Sequence, residues 1–166
     1  MQRKVLALSM LLAGLAVAQA DEFKAPLMKD GFWETHTRMT INGRPNESAI
    51  KMCLSRALQE SMQSTSANIR KRNECSQSVT QISPSSYRSE VSCKKGPLAG
   101  AVTRSTATFS PDASRVETHL LKPSGSEDVT IAESHYLGAC PAGVVPGDVV
   151  MPDGTKVPVG ASTAAP

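Results

Sequence analysis

The chain has 166 residues, with 18 Lys and Arg against 15 Asp and Glu, and its formal net charge is +3. This near-balance of charge argues against a nucleic-acid-binding protein. The one basic cluster, Arg70-Lys71-Arg72, is also too short to form a nucleic-acid tract. The length fits one domain, and the low aromatic content of 4% indicates a thin hydrophobic core.

The first twenty residues have the features of a cleavable export signal. Arg3 and Lys4 precede an apolar run from Val5 to Val17, and Ala18-Gln19-Ala20 provides the small residues that a signal peptidase requires. The apolar run is too short to span a bilayer, which takes about 20 apolar residues. We therefore expect a signal peptide over 1–20, cleavage after Ala20, a mature chain that does not span a membrane, and a periplasmic or secreted location.

A strand with strict alternation opens the mature domain. In the stretch 31–41, GFWETHTRMTI, successive side chains fall on opposite faces, and the only tryptophan of the chain, Trp33, is predicted to anchor the core. Asn42-Gly43 is a strong hairpin signal, so the stretch 47–53 is predicted to return as the second strand. One face of the first strand carries Trp33, Thr35, Thr37, Met39 and Ile41, and the other carries Phe32, Glu34, His36, Arg38 and Thr40.

The stretch 54–63, LSRALQESMQ, is predicted to form a short helix. Its apolar residues Leu54, Leu58 and Met62 recur at helical spacing, and Ser55 can cap the start. The polar stretch 64–73 is predicted to be a loop that leads into the next strand.

Four cysteines lie beyond the leader, and an even number in an exported chain predicts two disulfides. A hairpin turn at 83–86 would bring Cys75 to within one position of facing Cys93, close enough for a disulfide. Cys53 would then pair with Cys140. No C-x-x-C occurs, so the motif of thioredoxin-like redox proteins, zinc ribbons and c-type haem attachment is absent from the sequence.

Three more strands are predicted at 101–109, 115–121 and 127–137, each bounded by Gly, Pro or Ser turns. Together with the strands before them, they predict a mainly β domain over residues 21–140. We expect an antiparallel meander of about seven strands, in a curved sheet or partly open barrel, with one short helix and two disulfides.

A tail rich in Pro, Gly and Val follows over residues 141–166. Two short pieces of it, Val149–Met151 and Lys156–Val159, could pair across a turn at 152–154. The final residues are expected to be disordered.

Several motifs keep the order that they have in a known family. Gly31-Phe32-Trp33-Glu34 matches a G-[apolar]-W-E opening strand, Cys53-Leu54-Ser55 matches a step into a short helix, and Gly138-Ala139-Cys140 matches a closing G-x-C. Cys75 and Cys93 bracket a hairpin between them. In these features the chain resembles, over about 26–140, the exported bacterial family classed as domain of unknown function 3617. The resemblance implies an exported, disulfide-bonded domain and implies no activity.

The three histidines, His36, His119 and His135, fall on three different predicted strands, with no H-x-H or H-E-x-x-H spacing. We therefore expect no metal site and no cofactor. The sequence also has no G-x-S-x-G motif of serine hydrolases, so an enzyme is not expected. A metal-binding protein or a hydrolase is only a remote alternative.

The sequence is most consistent with a protein that acts by binding. One hypothesis is an interaction with an unknown envelope protein through a strand edge or an outer face. The alternative is a carrier that holds a small apolar ligand in the concavity of the sheet. The residues predicted to line such a pocket are Trp33, Met39, Val91, Phe109 and Ile131.

Overall fold

The computed structural model describes residues 23–158 of the chain. The predicted export signal and the end of the tail lie outside the described residues. Within them, in chain order, are β1 (Gly31–Ile41), β2 (Arg44–Leu54), α1 (Arg56–Arg72), β3 (Cys75–Ser83), β4 (Ser86–Cys93), β5 (Val102–Phe109), β6 (Ala113–Leu121), β7 (Glu127–Gly138), β8 (Asp148–Val150) and β9 (Lys156–Pro158).

The nine strands of the described residues form one antiparallel sheet in the order β3-β4-β5-β6-β7-β1-β2-β8-β9. The mainly β, antiparallel fold predicted from the sequence is confirmed. β1 to β7 are the seven expected strands, and the tail adds β8 and β9 beside β2. The sheet does not close into a barrel, because β3 and β9 are its two edges.

The connection from β2 to β3 departs from a simple meander. β1 pairs with β7, which separates β2 from β3 by five strands. Five intervening strands make six strand-to-strand spacings, and at about 4.8 Å each the distance from β2 to β3 is roughly 29 Å. The 17 residues of α1 span about 25 Å at 1.5 Å per residue. The helix with its flanking residues is therefore long enough to cross the sheet from one side to the other.

The helix is longer than the sequence predicted. It runs from Arg56 to Arg72, so the stretch 64–73, predicted to be a loop, is mostly helical. The polar residues that suggested a loop lie on an exposed helix surface, and no Gly or Pro interrupts them. The N-cap prediction is correct, because the Leu58 N–H donates to Ser55 Oγ at 3.3 Å.

The strand register divides the sheet into two chemically different faces. One face carries Trp33 on β1, and we call it the uncharged face. Thr, Ser, Ala and Val predominate on its central strands. The only charged strand residues on this face, Arg44 and Asp128, lie at strand ends. The opposite, charged face carries residues such as Arg38, Arg115 and Glu133. Residues 23–29 and α1 lie over the uncharged face, since Phe23 contacts Tyr87 there, with ring centroids 5.1 Å apart.

Trp33 is the centre of a small core at one end of β1. Its side chain is 1% exposed, its Nε1–H donates to the Lys29 carbonyl at 2.9 Å, and its ring meets Tyr136 edge-on at 5.5 Å. Gly31 allows this close packing, because a Cβ there would collide with the Gly138 carbonyl oxygen, and its φ is +140°. Gly31 and Trp33 of the GFWE motif are thus packing residues.

Both predicted disulfides form in the structure. Cys53, which is fully buried, bonds to Cys140 with 5.6 Å between their α-carbons, and so ties the end of β2 to the chain that follows β7. Cys75 bonds to Cys93, directly opposite it across the β3–β4 ladder. Two such bonds are typical of proteins in an oxidising, extracellular compartment.

Among the described residues, no helix is long and apolar enough to cross a membrane.

Candidate functional site

The five residues of the predicted apolar pocket do not come together in the structure. Trp33 is part of the core and is almost fully covered, so it offers no open surface to a ligand. Met39, Val91 and Phe109 share the uncharged face with it but lie on β1, β4 and β5. Ile131 was placed wrongly in this group, because it pairs with Arg38 and so points to the charged face.

The three histidines lie on the charged face, and each sits beside carboxylates. His36 Nε2 is 3.4 Å from Glu34 Oε2, and His135 lies opposite Glu34 in the ladder. No group of three or more His, Cys, Asp or Glu in the part of the chain that the structure describes is arranged to hold a metal ion. These side chains belong to a surface of paired charges.

The contacts of His119 are closer than those of the other two histidines. Its Nδ1 lies 3.0 Å from Glu127 Oε1, and its Nε2 lies 3.1 Å from Glu117 Oε1. Carboxylates accept but do not donate when ionised, so both ring nitrogens make hydrogen bonds only in the protonated imidazolium. The hydrogen bonds to Glu117 and then to Glu127 raise the pKa of His119, and those from His119 and Arg115 lower the pKa of Glu117.

The most distinctive feature is the edge strand β3. The Lys94 N–H donates to the Glu74 carbonyl at 3.4 Å, so residues 74 and 94 are a hydrogen-bonded pair just before β3. In an antiparallel ladder such pairs alternate with pairs whose backbone groups point away from each other. It follows from the register that Gln77, Val79 and Gln81 direct their backbone N–H and C=O groups away from β4, to the open side of the sheet.

The composition of β3 leaves this edge open to another strand. Its sequence, CSQSVTQIS, has no charged residue and no proline, and six of its nine residues are exposed. Native proteins protect an edge with lysine, with proline, with a β-bulge, by covering it, or by keeping it very short. β3 has no lysine and no proline and is nine residues long, and its one register shift lies near its end, between Gln81 and Ser83.

Next to β3 is a groove formed with α1 and the segment 23–29, which we call the N-terminal segment. Its volume is about 1010 Å³, and Gln77 of β3 lines one side. Its apolar part is formed by Phe23, Leu27, Met62 and Ala67, and charged side chains also line it, namely Lys24, Glu60 and Arg70. The groove therefore has both polar and apolar side chains, and it adjoins the uncharged side chains of β3.

The N-terminal segment is held on α1 by two glutamine side chains. The Met28 N–H donates to Gln59 Oε1 at 2.8 Å, and Gln59 Nε2 donates to the Met28 carbonyl at 2.9 Å. One turn on, Gln63 Nε2 donates to the Ala25 carbonyl at 2.9 Å. These bonds fix the wall of the groove and explain why Gln59, a polar residue, is 8% exposed.

Basic side chains cluster at the Cys75 end of β3. Lys71 and Arg72 end α1, and the adjacent Lys94 and Lys95 follow β4; all four are exposed, and we call this group the basic corner. Lys95 pairs with Glu74. Among the described residues no ion pair forms between an acidic side chain and Lys71, Arg72 or Lys94.

Sequence reasoning recognised β3 as a strand but not as an edge. Which strands are edges depends on the pairing of β1 with β7, which brings together residues about a hundred positions apart. The lack of charge and proline in 75–83 was visible in the sequence, and it was the one available signal. The basic cluster 70–72 was noted, but its neighbours Lys94 and Lys95 are brought to it only by the β3–β4 hairpin.

The comparisons with known proteins agree with the resemblance seen in the sequence. No curated protein and no solved structure matches the chain. One family does match, over residues 28–140, and its description is a protein of unknown function, DUF3617. That range contains the GFWE strand, the four cysteines and β3. Because the match covers more than half of its length, the chain belongs to the DUF3617 family.

Proposed function

We propose that this protein is an exported, non-enzymatic binding domain of the cell envelope, and that it binds an extended segment of a partner protein along β3. The open backbone groups of Gln77, Val79 and Gln81 carry this proposal, because they are able to pair with a partner strand. The signal-like sequence 1–20 and the two disulfides support export to an oxidising compartment.

The geometry favours this mode of binding over a flat contact on either face. Many side chains of the charged face already pair with one another, as Arg38 does with Glu133 at 2.8 Å. Such exposed pairs contribute about 0–1 kcal/mol each, and the charges within them are already matched. On the β3 edge, in contrast, no strand of the described residues pairs with the outward backbone groups of Gln77, Val79 and Gln81.

Site-specific photocrosslinking in the producing cell tests the proposal. A photoreactive residue replaces Thr80 on β3 in one variant and Thr106 on β5 in the other. Both threonines are exposed and lie on the charged face in the same row, since each pairs with Arg88. We expect a discrete adduct of higher mass from position 80 and none from position 106.

A proline variant then asks whether the adduct depends on the backbone of β3. Gln77→Pro removes an N–H that points to the open side without removing a bond to β4, whereas Gln77→Thr keeps that N–H. The adduct at position 80 should vanish with the proline and persist with the threonine. Equal adducts at positions 80 and 106, or an adduct that is insensitive to the proline, would show that β3 is not the binding site.

The groove favours a second candidate function, that of a carrier of a small apolar ligand. Its volume of about 1010 Å³ and its wall of Phe23, Leu27 and Met62 suit an apolar molecule. Native mass spectrometry of protein purified from the producing cell without detergent tests this. Extra mass that is lost in Met62→Glu but kept in Thr65→Glu, an exposed control on the same helix outside the groove, would support a carrier.

A further inference from the structure

We infer that the segment that binds to β3 runs antiparallel to it and carries acidic residues at its C-terminal end. This inference deepens the proposed function and depends on it. It names the chemistry of the partner: a strand with uncharged residues along β3, followed by carboxylates that reach the basic corner.

The direction of the partner strand follows from the sheet that it would extend. Every neighbouring pair of strands in the sheet is antiparallel, and antiparallel pairs outnumber parallel ones roughly two- to three-fold in proteins. β3 begins at Cys75, beside the basic corner, and ends at Ser83. An antiparallel partner would therefore place its C-terminal end next to Cys75.

The charges at that end favour carboxylates. The basic corner has four cationic side chains, and the ion pair that involves it among the described residues joins Lys95 to Glu74. Basic residues in the last turn of a helix interact favourably with its dipole, which accounts for Lys71 and Arg72. Lys94 is on the chain after β4, not on the helix, so the dipole gives no reason for its position.

The middle of β3 calls for different side chains. Gln77, Val79 and Gln81 have their side chains on the uncharged face, on the same side as the groove. Alternate residues of a partner strand would point to that side, where Phe23, Leu27 and Met62 provide apolar contacts. We therefore expect apolar or small residues at alternate positions before the acidic end.

A polypeptide fits these features better than an anionic membrane surface. Lipid phosphates could pair with the basic corner, but they accept hydrogen bonds and do not donate them to the outward carbonyls of β3. A polypeptide strand offers both donors and acceptors at the required spacing, and its side chains add the carboxylates.

The test is a selection of random twelve-residue peptides, displayed on phage, on the full mature chain from Asp21. Peptides are kept if they bind the wild type and the Gln77→Thr variant but not Gln77→Pro; Val79→Pro serves as a second proline variant. Circular dichroism verifies that each variant is folded. We expect the retained peptides to be rich in Asp and Glu in their C-terminal third and to have small or apolar residues at alternate positions before it.

A charge reversal then measures the contribution of the basic corner. The double variant Lys71→Glu, Lys94→Glu should bind synthetic versions of the retained peptides about tenfold more weakly than the wild type at low salt. The control Arg44→Glu with Arg56→Glu makes the same change in net charge on exposed residues away from the corner, and it should change affinity less than twofold.

The outcomes separate the two proposals. Proline-sensitive peptides without an acidic C-terminal end, or with equal affinity for both charge variants, would overturn the inference and leave edge binding intact. A selection without any proline-sensitive peptide would overturn both. Sedimentation with phosphatidylglycerol vesicles that is lost in the Lys71→Glu, Lys94→Glu variant but kept in Gln77→Pro, with no acidic peptides selected, would assign the corner to a membrane surface instead.

Discussion

The two edges of the sheet are built in opposite ways. At β9, the Met151 N–H donates to the Thr155 carbonyl, so by the same alternation Lys156 and Pro158 are the residues that face outward. One of them brings a charge and the other lacks an N–H. β9 is also only three residues long. At β3, three times as long, the outward residues are Gln77, Val79 and Gln81.

This difference indicates that the openness of β3 is specific to that strand. The same protein protects its β9 edge by three devices that native sheets commonly use, and it uses none of them at β3. An unprotected edge is a risk for aggregation, and its presence in the same sheet as a protected edge is the reason why we propose a partner that pairs with it. Each end of the sheet also has its own disulfide, Cys75–Cys93 at β3 and Cys53–Cys140 near β8.

Removal of the Cys53–Cys140 bond should have the largest effect on stability. It closes a loop of 87 residues, and loop entropy assigns such a bond about 4–5 kcal/mol of the free energy of unfolding. The double variant Cys53→Ala, Cys140→Ala should lose about that much in urea denaturation. A loss below about 2 kcal/mol would mean that the core around Trp33 holds β2 and β7 without the bond.

Removal of Cys75–Cys93 should cost less and act on β3. This bond spans 18 residues, for which the same model gives about 3 kcal/mol. In the variant Cys75→Ala, Cys93→Ala, amide hydrogen exchange should accelerate in β3 and β4 more than in β1 and β7. Uniform acceleration over the sheet would contradict a local role for this bond at the edge.

Proline substitutions at two adjacent positions of β3 should lower the free energy of unfolding by different amounts. Ser78 faces Glu90 in a hydrogen-bonded pair, so Ser78→Pro removes a ladder bond, while Gln77→Pro removes only an outward N–H. Both residues are exposed, so packing contributes little to the difference. We expect Ser78→Pro to destabilise the protein by at least about 1 kcal/mol more than Gln77→Pro. Equal costs would show that the outward residues have been assigned wrongly.

The sequence predicted those parts of the fold that depend on local patterns. The alternation in 31–41 and the cysteines around a short turn are local signals, and the structure has both β1 and the β3–β4 hairpin. The full length of α1 was missed, because a helix that is mostly exposed lacks the apolar repeat by which helices are recognised.

The candidate site depends on long-range pairing and was therefore not predictable in the same way. The prediction for Ile131 failed because the register of β7 on β1 decides which face it joins, and neither strand alone contains that information. Trp33 was expected in the core and lies there, but the same burial removes it from any pocket.

The protection of β9 can be removed to resemble β3. The variant Lys156→Thr, Pro158→Thr restores an outward N–H and removes the charge, without changing Val157, which pairs with Val149. We expect it to self-associate at concentrations at which the wild type does not, as measured by sedimentation velocity. The control Asp153→Ser, in the turn before β9, should behave as the wild type does.

The centre of the sheet provides a reference that neither edge should influence. The pKa of His119 is raised by Glu117 and Glu127, so its contribution to stability is fully present below the ordinary pKa of about 6.5 and is lost as pH rises through the raised value. The unfolding free energy of the wild type should therefore fall as pH rises above about 6.5, relative to His119→Gln. The effect should be small, because the side chain of His119 is 39% exposed. The affinity of a peptide for β3 should not change with the titration of His119. Peptide affinity at β3 that falls together with this titration would show that the edge and the charged face are coupled.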